Sequence, residues 1–173
     1  EERVNILGLS RRAFEEAADL PGRSRALGRL YGQAFAEGRF EPGSAAISKE
    51  AAARLAARFA VRLPAVERVV EEEGPLGTTA KALLRLVDGE RVECVRIPSA
   101  RRGPDPAPAA LCVSSQVGCR LACAFCESGR LGLSRNLRPE EIVGQYAAAR
   151  LVLGWDIGKI VFMGMGEPLD NFE

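Results

Sequence analysis

Residues 111–129 read LCVSSQVGCRLACAFCESG and contain four of the five cysteines of the chain. Cys119, Cys123 and Cys126 follow a C-x-x-x-C-x-x-C spacing, and Cys112 lies seven residues upstream of them. The chain of 173 residues contains no histidine. This excludes serine–histidine–aspartate catalysis, cysteine–histidine catalysis and mixed cysteine–histidine zinc fingers. The chemistry of this stretch must therefore depend on sulfur, carboxylates and backbone groups.

The cysteine spacing favours an iron–sulfur cluster. Three thiolates leave one iron of a [4Fe–4S] cluster open, and that iron can bind a small molecule. We expect Phe125, just before the last cysteine, to shield the cluster from water. The alternative is a structural zinc ion held by Cys112, Cys119, Cys123 and Cys126. Zinc sites usually have two C-x-x-C pairs, whereas only Cys123 and Cys126 have that spacing here.

The segments around this stretch predict alternating strands and helices. The apolar run ALCVSS (110–115), a helix near 139–153 and the run KIVFMG (159–164) predict a parallel β-α-β unit. Upstream, TTAKALLRLV and RVECVRIP flank Asp88-Gly89 and predict a β-hairpin. A lone β-α-β unit leaves sheet edges unpaired, so we expect the chain to be the front part of a longer protein.

The first part of the chain predicts a helical module that closes with VEEEGP near residue 75. Ser10, Ser24 and Ser48 are candidate N-caps for three helices. The third helix, predicted over 49–63, would place Arg54, Arg58 and Arg62 on one face. A solvated helix face explains that row better than RNA contact does.

Charge and cysteine usage bound the class of protein. The net charge is +1, yet residues 76–138 carry ten basic against five acidic side chains. This excess indicates either a solvated arginine-rich surface or an RNA-binding footprint. An odd number of clustered cysteines argues against a secreted disulfide scaffold. No long apolar run or secretory signal is visible, so we expect a cytoplasmic protein without a membrane span.

With these residues in view, CRLACAFC resembles the signature of the radical S-adenosylmethionine (SAM) superfamily. The stretches CVSSQVGC, GLSRNLRPEEI and VFMGMGEPLDN are similar to the RlmN/Cfr family of RNA methyltransferases, which methylate an adenine ring carbon. The opening segment VNILGLSRRAFEE resembles that family's accessory domain more weakly. The resemblance implies an α/β fold with a helical accessory domain (1–75), a β-hairpin extension and linker (76–108), and the amino-terminal part of a partial (β/α) barrel (109–173).

The resemblance also implies the cofactor site. Cys119, Cys123 and Cys126 would ligate the [4Fe–4S] cluster, and Gly166 and Glu167 would meet the amino group of SAM. Glycine permits close backbone approach, a carboxylate complements an ammonium group, and the carboxyl ends of strands are where α/β folds bind ligands. Without the cysteine stretch, GMGEP would be interpreted as an ordinary turn.

Two further residues match catalytic positions of the family. Cys112 would form a disulfide with a methyl-carrying cysteine near the carboxyl terminus and so release the methylated RNA from a covalent RNA–protein adduct. Glu93 would accept a proton. From the residues alone, Cys112 is equally a buried strand cysteine and Glu93 a polar hairpin position, and we interpret Cys94 as structural. No cysteine follows Cys126, so this chain alone is expected to be inactive.

The implied substrate is adenine C2 of 23S rRNA, with tRNA as a second substrate, and the implied electron donor is a reductase or flavodoxin. The alternatives are methylation at adenine C8, as in the Cfr branch, and a non-enzymatic, zinc-stabilised RNA-binding module. Two departures from the family bear on the substrate. Glu127, Ser128 and Gly129 replace the usual A-T-G after the last cysteine, and the loop at 99–110 is longer than usual.

Overall fold

The computed structural model describes residues 3–99 and 107–172, and its first part is a helical unit. The helices of this unit are α1 (Arg11–Ala18), α2 (Ser24–Glu37) and α3 (Lys49–Arg58). Ser10 and Ser48 cap α1 and α3 as predicted, because each hydroxyl oxygen accepts a backbone N–H from the first turn. Ser24 is instead the first residue of α2.

Aromatic rings form the centre of this unit. The ring of Phe14 lies 5.1 Å from that of Phe59 and 6.0 Å from those of Tyr31 and Phe40, measured between centroids. Edge-to-face and tilted contacts of this kind add to the stabilisation from burial alone. The Tyr31 hydroxyl also donates to the carbonyl of Leu9 at 2.8 Å. Apolar residues of the three helices and of the segments between them therefore form one small core.

The third helix ends earlier than predicted. Phe59–Ala60 (β2) leaves the helix and pairs in parallel with Val4–Asn5 (β1). Arg62 thus lies beyond the helix, where its guanidinium donates to the carbonyl of Arg3 at 2.7 Å. The expected row of Arg54, Arg58 and Arg62 on one helical face is wrong for this reason.

A five-stranded sheet carries the rest of the fold. The remaining helices and strands are β3 (Ala65–Gly74), β4 (Gly77–Arg85), β5 (Arg91–Ile97), β6 (Ala109–Cys112), β7 (Gln116–Gly118), α4 (Glu127–Arg130), β8 (Leu133–Asn136), α5 (Pro139–Leu151) and β9 (Ile157–Val161). The strand order in the sheet is β3-β4-β5-β6-β9. The pairs β3–β4, β4–β5 and β5–β6 are antiparallel, and β6–β9 is parallel.

The hairpin β4–β5 is confirmed, with Asp88 and Gly89 in its turn. The strand β3 was not predicted, because its run of Glu71, Glu72 and Glu73 looked like the polar end of the helical module. It is an edge strand that faces solvent along most of its length, and charges at such an edge discourage pairing with other chains. Residues 65–74 therefore belong to the sheet, and the domain boundaries over 1–75, 76–108 and 109–173 stay predictions.

The β-α-β unit is also confirmed, since β6 and β9 are parallel neighbours joined through α5. Pro139 opens α5, and the Glu141 carboxylate accepts the Arg138 N–H at 2.8 Å. Ala148 and Ala149 of the helix are fully buried in one core with the apolar face of β4, β5 and β6. Most of the longer loop noted at 99–110 lies outside the described residues.

A small antiparallel ribbon, β7–β8, connects the sheet to the helix. On it, Arg135 forms ion pairs with Asp88 at 2.6 Å and Glu141 at 2.7 Å, joining the hairpin turn to the start of α5. These two carboxylates raise the pKa of Arg135, the hydrogen bond to Glu141 being the larger cause. Within the described ranges, the helices are too short or too polar to cross a bilayer.

Candidate cluster and cofactor site

The segment that leads into the predicted cysteine loop meets the GMGEP loop at the carboxyl end of the sheet. Because β6 and β9 are parallel neighbours, their carboxyl ends lie side by side. Backbone hydrogen bonds continue past the ends of the strands. The Ser115 N–H donates to the carbonyl of Met165 at 2.8 Å, and the Gly164 N–H donates to the carbonyl of Val113 at 3.1 Å. The two segments that the sequence singled out are therefore joined directly to each other.

The glycines of GMGEP are needed for this contact. A Cβ atom on Gly164 would lie 2.8 Å from the backbone nitrogen of Ser114. Gly166 has φ +97°, and a Cβ there would lie 2.5 Å from Cβ of Gln116. We expected Gly166 to let a cofactor approach the backbone closely. In the structure, the group that approaches it closely is Gln116.

Glu167 is fixed by two hydrogen bonds. Its N–H donates to Oε1 of the fully buried Gln116 at 3.0 Å. Its carboxylate accepts the N–H of Leu169 at 3.0 Å and so caps the 3₁₀ turn Pro168–Asp170. Gln116 in turn donates to Asp170 at 3.0 Å. The partly buried carboxylate thus has a defined position at the edge where a SAM ammonium group is predicted.

The cysteine loop is anchored at both ends. Cys119 is buried and its N–H donates to the carbonyl of Gly132 at 2.9 Å, while the Cys126 N–H donates to the carbonyl of Cys123 at 3.0 Å. A Cβ on Gly129 would lie 3.0 Å from the nitrogen of Cys123, so α4 packs closely against the loop. Cys123 and Cys126 are partly exposed.

The donor chemistry of this loop fits an iron–sulfur cluster, because its three cysteines are free thiols. Among the described residues, however, no three cysteine or carboxylate side chains stand close enough to hold one metal ion. A [4Fe–4S] cluster binds each thiolate at a different iron, so it does not require the three sulfurs to meet at one point. Phe125 is 93% exposed beside these cysteines, and its role as a shield of the cluster stays a prediction.

Glu93 and Cys112 lie on the same face of the sheet. Cys112 pairs with Val95 across β5 and β6, and Glu93 is two residues before Val95. Since side chains alternate along a strand, all three point away from the core that packs on α5. The carboxylate of Glu93 pairs with the ammonium group of Lys81 at 3.0 Å.

The two cysteines of this region differ in environment. Cys94 is fully buried in the core, and burial, followed by the nearby Cys112 and Glu93, raises the pKa of its thiol to about 12. This agrees with a structural Cys94. Burial also raises the pKa of Cys112, opposed by a hydrogen bond from the Met163 backbone. All five cysteines lie in the described ranges and none forms a disulfide there.

A buried polar pair that we did not predict holds this arrangement together. The Gln145 side chain of α5 accepts the Ser114 N–H at 2.8 Å and donates to the Ser114 carbonyl at 2.9 Å, with both residues fully buried. The Ser114 hydroxyl donates to the Glu93 carbonyl at 2.6 Å and accepts the Met165 N–H at 2.9 Å. Two features of the sequence could have indicated this pair: a glutamine next to the alanine-rich run YAAARL of α5, and the polar run SSQ directly after an apolar strand.

Glu127, which departs from the family pattern, is the first residue of α4. It is largely exposed and pairs with Arg130 at 3.2 Å. Exposed pairs of this kind contribute little to stability. The substitution therefore places a solvated carboxylate next to Cys126.

Comparisons with known proteins agree with this geometry. No family model matches the chain. The dual-specificity RNA methyltransferase RlmN of Alkalilimnicola ehrlichii is 43% identical, over 98% of this chain and 46% of its own length. The protein of the same name from Ruegeria pomeroyi is 38% identical, over 100% of this chain and 46% of its own length.

The structural comparison gives the same result. The crystal structure of a radical SAM methyltransferase from Sphaerobacter thermophilus matches with a TM-score of 0.73 and 33% identity, over 98% of this chain and 49% of that one. The chain spans about half the length of the relatives that match it throughout. The expected α/β fold is thus confirmed as a fragment of the radical SAM methyltransferase fold. Over the part that it spans, the chain belongs to the RlmN/Cfr family.

Proposed function

We propose that the full-length protein is a radical SAM methyltransferase that methylates adenine C2 of 23S rRNA, with tRNA as a second substrate. The observation that carries this proposal is the direct joining of residues 113–116, which lead from β6 toward the cysteine loop, to the GMGEP loop at the carboxyl ends of β6 and β9. Relatives that cover the whole chain are named dual-specificity RNA methyltransferases. The cytoplasm is the proposed compartment, because its RNA and reducing conditions suit this chemistry.

The roles of the loops follow from their chemistry. The thiols of Cys119, Cys123 and Cys126 would hold a [4Fe–4S] cluster, which supplies the electron for radical chemistry at bound SAM. A reductase or flavodoxin would deliver that electron. Gly166 and Glu167 would bind the amino group of SAM, since Gln116 holds the backbone of Glu167 and the following turn holds its carboxylate.

The sheet face that carries Glu93 and Cys112 would handle the RNA intermediate. Glu93 is half-exposed and can meet a base, so we assign it the role of proton acceptor. Cys112 would attack the sulfur of the methyl-carrying cysteine in the adduct: an S–S bond forms, the bond from that sulfur to the transferred carbon breaks, and the released base keeps the electron pair and takes a proton to complete its methyl group. Burial raises the pKa of Cys112, so its attack needs a base to remove the thiol proton.

The test is mass mapping of rRNA and tRNA from a deletion strain and from strains complemented by full-length variants, with chromatography of the nucleosides against 2-methyladenosine and 8-methyladenosine standards because these isomers have equal mass. The wild type and Cys94→Ala should restore one methyl group on adenine C2, and Cys119→Ala should not. A methyl group at C8 would indicate the Cfr-type reaction. Unchanged rRNA and tRNA masses would refute the substrate assignment, and a purified protein with zinc and no iron would favour the zinc-stabilised RNA-binding module.

A further inference from the structure

One row of side chains crosses three strands on the sheet face that is opposite α5. Lys81 on β4 pairs with Val95 on β5, and Val95 pairs with Cys112 on β6. Partners in a ladder point to the same face, so Lys81 and Cys112 flank Val95. Glu93 shares this face because it is two residues from Val95. Lys81, to which the proposed function gives no role, therefore lies on the same face as Glu93 and Cys112.

The contact between Lys81 and Glu93 is direct. The Lys81 ammonium nitrogen lies 3.0 Å from Oε1 of Glu93, and the two side chains are 50% and 40% exposed. Exposed ion pairs contribute little to stability. The main effect of this pair is to direct the carboxylate, and both groups remain partly exposed on this face.

The backbone of Glu93 is fixed separately. The Ser114 hydroxyl donates to its carbonyl oxygen at 2.6 Å, so the main chain at this position is tied to the end of β6. Lys81 fixes the side chain from the other neighbouring strand. Glu93 is thus held at two points, one in its backbone and one in its carboxylate.

Other charged residues share this face at greater offsets in the ladder. Arg68 pairs with Leu83, which pairs with Glu93, and Lys159 pairs with Ala110. Arg68 is therefore two strands away from Glu93, whereas Lys81 is in contact with it. Lys159 offers a matched control, as a cation on the same face with a different neighbour.

We propose that Lys81 is the positioning residue for Glu93, an inference that rests on the proposed function. The ammonium group holds Oε1, so Oε2 takes the proton: the adenine C–H bond breaks, an O–H bond forms, and the electron pair of the C–H bond stays on the substrate. A protonated lysine has three donors and no acceptor, so it cannot take the proton itself. Lys81 acts on the reaction through Glu93.

The experiment measures RNA methylation by the reconstituted full-length enzyme and its Lys81→Met, Lys81→Arg, Glu93→Gln and Lys159→Met variants, together with the Lys81→Met/Glu93→Gln double variant. Lys81→Met should lower kcat by about 10- to 100-fold with little change in KM, because a misdirected base loses that much. The covalent RNA–protein adduct should accumulate on denaturing gels. Lys81→Arg should restore most of the rate, and Lys159→Met should resemble the wild type.

The double variant decides whether Lys81 acts through Glu93. It should be no slower than Glu93→Gln alone, since the carboxylate that Lys81 directs is already gone. Rate losses that multiply, an unimpaired Lys81→Met, or a Lys81→Arg as slow as Lys81→Met would overturn the inference. Equal iron content and thermal unfolding of the variants control for folding. A wild type that methylates no RNA would refute the proposed function instead.

Discussion

The contact between the GMGEP loop and the end of β6 can be tested by adding one methyl group. In Gly166→Ala the new Cβ would lie 2.5 Å from Cβ of Gln116 and 2.8 Å from its backbone nitrogen. The positive φ of +97° adds strain of about 1–2 kcal/mol for a residue with a side chain. Overpacking adds about 1–3 kcal/mol, so the free energy of unfolding should fall by about 2–5 kcal/mol.

Gly89→Ala is the matched control. Gly89 has φ +90° and no atom within 4 Å of an added Cβ. Gly89→Ala therefore introduces the same kind of backbone strain as Gly166→Ala, without the steric clash. The assay is denaturant unfolding of both full-length variants beside the wild type. Gly166→Ala should lose about 1–3 kcal/mol more than Gly89→Ala. It should also bind SAM more weakly, because Gln116 holds Glu167. Equal losses in the two variants would refute the close contact.

Three other predictions concern the ribbon and the cysteines. Arg135→Met should cost about 2 kcal/mol, because it breaks charged hydrogen bonds to Asp88 and to Glu141, which is 11% exposed. Burial alone would raise the pKa of Asp88, but hydrogen bonds from the Glu90 backbone and Arg135 hold it below its usual 3.8. The part of the cost that comes from Asp88 should therefore be complete above pH 3.8 and be lost as pH falls through its lowered pKa in unfolding titrations. Cys94 should be the last cysteine alkylated by iodoacetamide in the native protein at pH 8, since its thiol is buried with a pKa of about 12; early labelling, read by mass spectrometry, would contradict this. Anaerobic reconstitution should give a broad charge-transfer absorption that Cys119→Ala loses and Cys94→Ala keeps.

The elements that the sequence predicted well are those whose local signals agree with their packing. Asp88-Gly89 between two apolar runs is a strong hairpin signal, and Pro139 with two glutamates marks the start of α5. The strand-helix-strand order then gives a parallel pair, because the crossover has one favoured geometry.

The elements that were missed depend on partners far away in the chain. Strand β3 carries three consecutive glutamates and forms because β4 offers a ladder along its length. The third helix ends at Arg58 because Phe59 packs on Phe14 and its backbone pairs with Val4. Neither partner can be identified from local periodicity.

The candidate site divides in the same way. The cysteine donors and GMGEP stand out by residue type and spacing, which is why they were found. Gln145, Ser114 and Gln116 hold the site through long-range hydrogen bonds, and a single glutamine or serine gives no spacing to recognise.

The proposed function depends on a cluster that three thiols of this loop hold with one iron open for SAM. Electron paramagnetic resonance of the reduced, reconstituted full-length protein, recorded with and without SAM, measures whether that iron is open. We expect a cluster signal whose g values shift when SAM is added, because SAM binds the open iron. A signal that is identical with and without SAM, or Mössbauer spectra that show four equivalent thiolate-ligated iron sites, would contradict it.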